Sequence, residues 1–216
     1  KLNLPKEPVF FIANEFLDAL PINQYEMSND IIYERRIILS ESKLKIILKK
    51  NFYLPPGLKN LKNGEVFEYS PLCNLYLKKI FSHINKFGGG ILIFDYGPFK
   101  KINKSTIQAI HQKEKIDFLK FPFESDITHH VDFQIIKTLS LKFSLKTYGP
   151  ITQKKFLYFN GINERMITLL KNKSLKNKEL LHSQFRRLTD PDGMGDLIKC
   201  IFVTRDDLNI NYFNNE

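Results

Sequence analysis

The stretch "FFIANEFLDALP", from Phe10 to Pro21, sets the problem that the fold has to solve. A run of large apolar residues ends abruptly in Asn14-Glu15, and Asp18 follows three residues later. The segment "PVFFIAN" at 8–14 predicts a short strand that is apolar on both faces, as in a parallel sheet covered by helices. The sequence therefore places an amide and a carboxylate directly at the end of a strand that is predicted to be buried.

A second apolar strand ends in the same way. Ser70 can cap a helix that starts at Pro71, and Gly88 can stop it. The segment "GILIFDYG" at 90–97 follows at once and predicts a buried strand that ends in Asp95. The helix before it carries an apolar stripe at helical spacing, formed by Tyr76, Leu77, Ile80, Phe81 and Ile84.

Helices dominate the second half of the pattern. Asp132 and Thr152 are placed to cap two helices, and Gly161 to end the second. Residues 162–187 predict two further helices separated near "KNKSLKNK", and "DLIKCIFVT" at 196–204 predicts a late strand. No composition shift divides the chain, so we expect residues 1–216 to form part of one domain, with 100–190 largely helical.

Alternating strands and helices predict an α/β fold with a mainly parallel sheet. Ligands of such sheets bind at the carboxyl ends of the strands, where Asn14-Glu15 and Asp95-Tyr96 would lie. Residues 31–48 alternate around "SESK", which predicts an exposed hairpin, and we expect 30–50 to be an insertion.

Composition narrows the classes of function. The chain has 216 residues, no apolar run near the roughly 20 residues of a membrane span, and only Cys73 and Cys200. A net charge of +10 suggests nucleic acid, but the lysines are scattered, as in "FKKINK", and the abundance of Lys, Asn, Ile and Phe indicates A/T-rich codons. We expect no nucleic-acid partner and a reducing compartment.

Five motifs occur together in a fixed order, and in this order they resemble the MidA family of S-adenosylmethionine-dependent methyltransferases, which includes the mitochondrial arginine methyltransferase that assists assembly of respiratory complex I. The motifs are "ANEFLDALP" (13–21), "GGGILIFDYG" (88–97), "SDITHHVDF" (125–133), "GPITQKKFLYFNGI" (149–162) and "DPDGMGDLIK" (190–199). The resemblance implies the C-terminal part of a Rossmann-like class I methyltransferase fold with a helical, acceptor-side insertion.

The chain departs from this family in its glycines. The family holds its methyl donor in a glycine-rich turn after a strand, and the chain has no G-x-G in that position. We therefore expect S-adenosylmethionine to bind only with a missing N-terminal portion, supplied by a longer chain or a separate polypeptide, unless the chain is a decayed remnant. Phe123 also stands where the family tends to have the glycine of a Pro-Gly turn.

Glu15 is our first choice for a catalytic residue, because a carboxylate can bind a guanidinium in bidentate fashion and orient one nitrogen for attack. Asn14 could accept a hydrogen bond from the acceptor or help Glu15 to brace the donor, and Asp18 could add negative potential. The alternative is structural: Glu15 and Asp18 would begin a helix and favour its positive end.

Four further side chains are candidates for substrate binding. Asp95 and Tyr96 could line an acceptor channel, although "DYGP" is also a reasonable tight turn. The resemblance places His129 and His130 in the acceptor-side wall. Adjacent histidines rarely converge on one metal ion, so we expect no metal.

Two functions remain open from sequence. The first is a protein-arginine N-methyltransferase, incomplete in this chain, that modifies a complex I subunit. The second is a non-catalytic remnant that holds a partner protein during assembly. A bacterial cytoplasm is the expected location, with the mitochondrial matrix as the alternative.

One structural corollary concerns the strand at 8–14. If the donor-binding half of the sheet is missing, this strand has an unpaired, apolar edge, and such edges recruit other strands or aggregate. We therefore expect the isolated chain to associate with a partner polypeptide, to form a homo-oligomer or to behave poorly in solution.

Overall fold

The structure, a computed structural model, describes residues 3–50, 53–58, 60–171, 173–210 and 213. The chain divides into two compact units. The first comprises Lys1–Phe16, Leu77–Lys100 and Val131–Glu216, and the second comprises Leu17–Tyr76 and Lys101–His130. Part of the predicted helix break near "KNKSLKNK" lies outside the described residues.

The first unit is built on a four-stranded sheet in the order β1-β6-β11-β10. β1 pairs with β6 in parallel, whereas β11 runs antiparallel to both of its neighbours, β6 and β10. Three of the four strands, β1, β6 and β10, therefore run in the same direction, in agreement with the predicted mainly parallel sheet, and β11 is the exception. Apolar runs identify strands but not their direction, so the reversal of β11 was not predicted. The strands are β1 (Val9–Asn14), β6 (Gly89–Tyr96), β10 (Lys146–Thr152) and β11 (Ile198–Thr204).

The burial of β1 also differs from the prediction. Its residues alternate between half-buried and exposed, and Phe10 and Ile12 are 72% and 77% exposed. The register with β6 places these two side chains on the sheet face that carries Leu92 and Phe94. Among the described residues β1 is an edge strand with one open apolar face, so its uniformly apolar sequence does not reflect burial on both sides.

Local signals in the sequence predicted several helix ends correctly. The Asp132 carboxylate accepts hydrogen bonds from two backbone N–H groups in the first turn of α2, and the Thr152 hydroxyl caps α3. Gly88 ends α1 in the left-handed region, with φ of 89°. The helices are α1 (Pro71–Phe87), α2 (Phe133–Lys142), α3 (Gln153–Phe159), α4 (Ile162–Leu170), α5 (Leu175–Thr189) and α6 (Met194–Leu197).

The predicted stripe of α1 is largely a core face, since Leu77, Ile80, Phe81 and Ile84 are buried. Phe81 meets Phe143, just beyond α2, in an edge-on contact of 6.2 Å between ring centroids. On the sheet, Ile151 and Cys200 form a second buried cluster with Phe213, against which Phe156 of α3 packs. Burial of the Cys200 thiol raises its pKa far above the ordinary value, which leaves it unreactive.

The second unit contains two antiparallel sheets, ordered β4-β3-β2-β5 and β8-β7-β9. The predicted hairpin is present, with the two-residue turn Glu41-Ser42 between β3 and β4. Tyr25, Leu61 and Phe67 form the core beside the larger sheet. The strands are β2 (Asn23–Ser28), β3 (Ile31–Ser40), β4 (Lys43–Lys50), β5 (Val66–Tyr69), β7 (Gln108–His111), β8 (Glu114–Ile116) and β9 (Asp126–Thr128).

The region 100–190 is not helical throughout. Its first third contains the three short strands β7, β8 and β9, and its helices run from Phe133 to Thr189. Gln112 and Lys113 both have positive φ and form the tight turn that joins β7 to β8. The hairpin of β7 and β8 was not predicted from the sequence, because its turn is polar and its strands are too short for a clear alternating pattern.

Candidate functional site

The carboxyl end of the first sheet gathers polar residues from every strand. β1, β6 and β10 run in one direction and end at Asn14, Tyr96 and Thr152. β11 runs the other way and begins at this end, where Lys199 pairs in register with both Asp95 and Thr152. The predicted convergence of Asn14-Glu15 and Asp95-Tyr96 at one end of the sheet is confirmed.

Glu15 is held by its backbone while its side chain stays exposed. Its N–H donates to the carbonyl oxygen of Phe94 over 2.9 Å, and its φ is 47°, a left-handed conformation that is uncommon for a non-glycine residue. Asn14 is also exposed, and its amide lies 3.4 Å from a carboxylate oxygen of Glu15. No helix follows, so the alternative that Glu15 and Asp18 begin a helix is wrong.

Asp95 and Tyr96 differ in their access to a ligand. The Asp95 side chain is completely buried, and its Oδ1 accepts a hydrogen bond from the backbone N–H of Tyr96 over 3.0 Å. Tyr96 is half-buried, and its carbonyl oxygen accepts from Val131 over 2.7 Å. Of these two residues, only Tyr96 presents surface to a ligand in this structure.

Gly97 is needed for close approach, not for a turn of positive φ. A Cβ atom at this position would lie 2.4 Å from the carbonyl oxygen of Val131. The backbone after β6 can therefore pass Val131 only because this residue has no side chain.

Lys199 is a residue of this end that sequence reasoning missed. It is 6% exposed, its ammonium donates to the carbonyl oxygens of Asp196 and Leu197, and the nitrogen lies 4.9 Å from the ring centre of Phe99. Burial lowers the pKa of Lys199, and the nearby Asp196 opposes that shift. The available signal was a single lysine inside the apolar run "LIKCIFV".

Asp18 and His129 lie together in the second unit. Asp18 is 2% exposed, and its carbonyl oxygen accepts a hydrogen bond from the backbone N–H of His129. The ring nitrogens of His129 lie 3.0 and 3.1 Å from the carbonyl oxygens of His130 and Leu20. These contacts give His129 a bridging role inside its own unit.

His130 is half-buried and belongs to a polar network of the same unit. Its backbone N–H donates to the hydroxyl of Thr106, and that hydroxyl donates to the carboxylate of Glu68. The amide of Gln24 donates to the same carboxylate over 2.7 Å. This network joins β2 and β5 to the segment before β7.

The structure thus brings Asn14, Glu15 and Tyr96 together at one end of the sheet of the first unit. Asp18 and His129, by contrast, lie together in the second unit. Within the described ranges, no group of three or more His, Cys, Asp or Glu side chains could hold a metal ion. Among those residues no helix combines the length and apolar character that a membrane crossing needs. An exposed carboxylate beside an amide can bind a cation that has several N–H donors.

Comparison with known proteins gives a family. A family model described as "Putative S-adenosyl-L-methionine-dependent methyltransferase" matches residues 1–151. A Caenorhabditis elegans protein named protein arginine methyltransferase NDUFAF7 homolog, mitochondrial, is 32% identical over 203 residues, covering 90% of this chain and 46% of that protein. A Xenopus laevis protein named protein arginine methyltransferase NDUFAF7, mitochondrial, is 30% identical over 208 residues, covering 93% of this chain and 47% of that protein. The chain therefore spans about half the length of these curated relatives.

Solved structures agree on the fold. A Burkholderia thailandensis protein bound to S-adenosyl-homocysteine superposes with a TM-score of 0.84 at 19% identity, covering 99% of this chain and 58% of that one. A second structure from the same organism gives a TM-score of 0.80 and covers 94% and 57%. The architecture is consistent with a class I methyltransferase-like fold.

Proposed function

The chain belongs to this family of S-adenosyl-L-methionine-dependent methyltransferases, and on that premise we propose that it forms the acceptor-side part of a protein-arginine N-methyltransferase. The observation that carries the proposal is the exposed Glu15 at the carboxyl end of β1, fixed by the hydrogen bond from its N–H to Phe94. The arginine specificity is extended from the names of the relatives.

Glu15 binds the guanidinium of the acceptor in this proposal. Two parallel N–H···O hydrogen bonds to one carboxylate fix the plane of the guanidinium and point its third nitrogen toward the donor. Because methyl transfer is an in-line displacement, this orientation lowers the entropic part of the barrier. Asn14 accepts a further hydrogen bond, and Tyr96 lines the path of the acceptor.

S-adenosylmethionine supplies an electrophilic methyl group on a sulfonium ion. Asn14 and Glu15 are the residues of this chain that would contact it, since their oxygen atoms can accept hydrogen bonds from its hydroxyl and amino groups. The remainder of the donor site lies, in our proposal, in polypeptide outside these 216 residues. Support comes from the absence of a G-x-G directly after a strand in the sequence, the edge position of β1 among the described residues and the chain's span of about half its relatives.

The roles of the second unit are also part of the proposal. We assign His129 and His130 to acceptor binding by resemblance alone, and Asp18 to the supply of negative potential. Within its own unit, His129 holds the backbone near the buried Asp18 through its two carbonyl contacts. Asp95 acts indirectly, because its carboxylate holds the backbone of Tyr96.

The protein substrate that we propose, a subunit of respiratory complex I, is implied by the family resemblance. The curated relatives are named as mitochondrial and the solved neighbours are bacterial. Both cysteines, Cys73 and Cys200, are free. This suits a reducing compartment, so we propose the bacterial cytoplasm, with the mitochondrial matrix as the alternative.

Two measurements test the proposal. Isothermal titration of S-adenosylmethionine into this chain alone should show no tight binding. Methyl transfer from labelled donor to arginine-containing peptides should appear when the chain is combined with the part of the Xenopus laevis relative that the match does not cover. Tight binding by the chain alone would contradict an external donor site, and transfer to lysine instead of arginine would contradict the acceptor.

The open apolar face of β1 favours the second candidate, a non-catalytic subunit that holds a partner. That function predicts capture of the partner by this chain whether residue 15 is Glu or Gln. The enzyme predicts that the same substitution abolishes transfer in the combined preparation. Measuring capture and transfer on the same two proteins separates the candidates.

A further inference from the structure

The hairpin of β3 and β4 extends beyond its sheet. β2 pairs with β3 only from Ile31 to Arg35, whereas β4 pairs with β3 as far as Ser40. Among the described residues, the outer part of the hairpin is therefore a ribbon of two strands. Such a ribbon is at best marginally stable on its own in water. Packing of its side chains against another surface would therefore stabilise it.

The two faces of this ribbon differ in chemistry. Cross-strand partners share a face, so the register assigns one face to aliphatic side chains, of which Ile37 and Leu39 are 54% and 72% exposed. In the outer ribbon the aliphatic face carries Ile37, Leu39, Leu44 and Ile46, and at its foot the same face continues with Leu48, Arg35, Tyr33 and Lys50. The other face carries Arg36, Lys43, Lys45 and Lys49, together with Glu34, Ile38 and Ile47.

Positive charge predominates along the ribbon. Residues 34–50 contain six Arg or Lys and two Glu, a net charge of +4. The two acids already have partners within the hairpin, since Glu34 lies 2.7 Å from Arg36 and Glu41 lies 3.6 Å from Lys45. The charge of Lys43 and Lys49 is thus available to an acidic partner.

β4 is the edge strand of its sheet among the described residues. An edge strand presents backbone N–H and C=O groups that can pair with an added strand. At the foot of the ribbon, on its aliphatic face, Ile37 and Ile46 line a small pocket with Ile22, Ile107 and Phe118. An apolar side chain that follows β4 on this face would lie beside Ile46, the one β4 residue among those that line the pocket.

The pattern of charges along β4 distinguishes between three possible binding partners of this edge: a second copy of the chain, a bilayer and an added strand. A second copy paired antiparallel along β4 and centred on Ile46 would place Lys43 beside Lys49 of the other copy at both ends of the pair, and like charges across a strand pair are destabilising. A bilayer could contact the aliphatic face only while the basic face points away from its phosphates. An added strand reaches both faces, because its side chains alternate between them.

We propose that the outer edge of β4 binds an extended segment of a partner protein in which acidic and apolar residues alternate. The acidic side chains lie beside Lys43, Lys45 and Lys49, and the apolar ones lie beside Leu44, Ile46 and Leu48. This surface acts independently of methyl transfer, so its test does not depend on the proposed enzyme.

The probe is a fluorescent synthetic peptide in which Glu and Val alternate over about the length of β4. Its binding to this chain is followed by fluorescence anisotropy. The control peptide has the same composition in an order that breaks the alternation. The test variant carries Lys43→Glu and Lys49→Glu, and the matched variant carries Lys176→Glu and Arg187→Glu, which reverse two positive charges on exposed positions of α5.

The alternating peptide should bind more tightly than the scrambled one, and the β4 variant should weaken it by roughly tenfold or more. The α5 variant should change affinity by less than about twofold, and peptide binding should slow amide hydrogen exchange in β4. If the β4 variant fails to fold, Lys43→Gln with Lys49→Gln replaces it. Any one of three results overturns the proposal. They are equal affinity for both peptides, unchanged hydrogen exchange in β4, and displacement of the peptide by anionic vesicles.

Discussion

The backbone N–H of Glu15 donates to the carbonyl oxygen of Phe94 across the parallel strands β1 and β6, over 2.9 Å. This bond lies one residue beyond β1, at a position where φ is 47°. The neighbouring strand therefore fixes the residue from which the exposed carboxylate projects. Strained backbone of this kind is frequent at functional sites, because the surrounding structure has to hold it.

Glu15→Gln should lower methyl transfer by roughly 100-fold or more in the combined preparation, because a neutral amide cannot bind a guanidinium in bidentate fashion. Thermal stability should hardly change, since the side chain is exposed. Rates with labelled donor and a melting curve check both expectations. Glu179→Gln on exposed α5 is the control, and equal rates for the two variants would remove Glu15 from the site.

Lys199→Met should change how stability depends on alkaline pH. Burial lowers the pKa of Lys199 from 10.5, so the folded protein releases this proton at lower pH than the unfolded chain does. Between the lowered value and 10.5, the unfolded chain binds more protons, and this lysine makes stability rise with pH. The difference between the urea unfolding free energies of native and variant proteins should show that rise, and a flat difference would contradict it.

Gly97→Ala should destabilise the first unit by about 1–3 kcal/mol, because its Cβ would collide with the carbonyl oxygen of Val131. Gly64→Ala is a useful comparison. A Cβ there meets nothing within 4 Å, so that variant bears only the penalty of its left-handed backbone, about 1 kcal/mol. Urea unfolding should show that Gly97→Ala lowers the free energy of unfolding more than Gly64→Ala does. The reverse order would show that the backbone at Val131 can shift at little cost.

Phe10→Lys combined with Ile12→Lys should reduce self-association of the isolated chain. Both side chains are more than 70% exposed on one face of an edge strand, and inserted lysines discourage strand and face pairing. Sedimentation at several concentrations measures the effect. Leu175→Lys, at an 80% exposed position of α5, is the control. A native chain that is already monomeric at all concentrations would refute the expected association.

Signals confined to a few residues were predictable from the sequence. Asp132, Thr152 and Gly88 act within one turn of the helix that each begins or ends, so their roles depend on neighbours along the chain. The placing of Asn14-Glu15 and Asp95 at strand ends was predictable for the same reason. An apolar run that stops at a polar residue marks where a strand stops.

Relationships between distant segments were not predictable. The direction of β11 depends on how the chain returns from α5 and α6, and the exposure of Phe10 depends on what covers β1. The burial of Asp18 depends on segments more than a hundred residues away, such as the one holding His129. Lys199 was overlooked because one lysine in an apolar strand resembles an ordinary exposed position.

The central place of β11 has a consequence for how the molecule is made. Thr204 donates its hydroxyl hydrogen bond to the carbonyl oxygen of Gly89, across 115 positions of the chain. β6 is therefore translated well before β11, its second neighbour, and the sheet cannot close until the segment between them has been made. High contact order of this kind slows folding and prolongs exposure to chaperones.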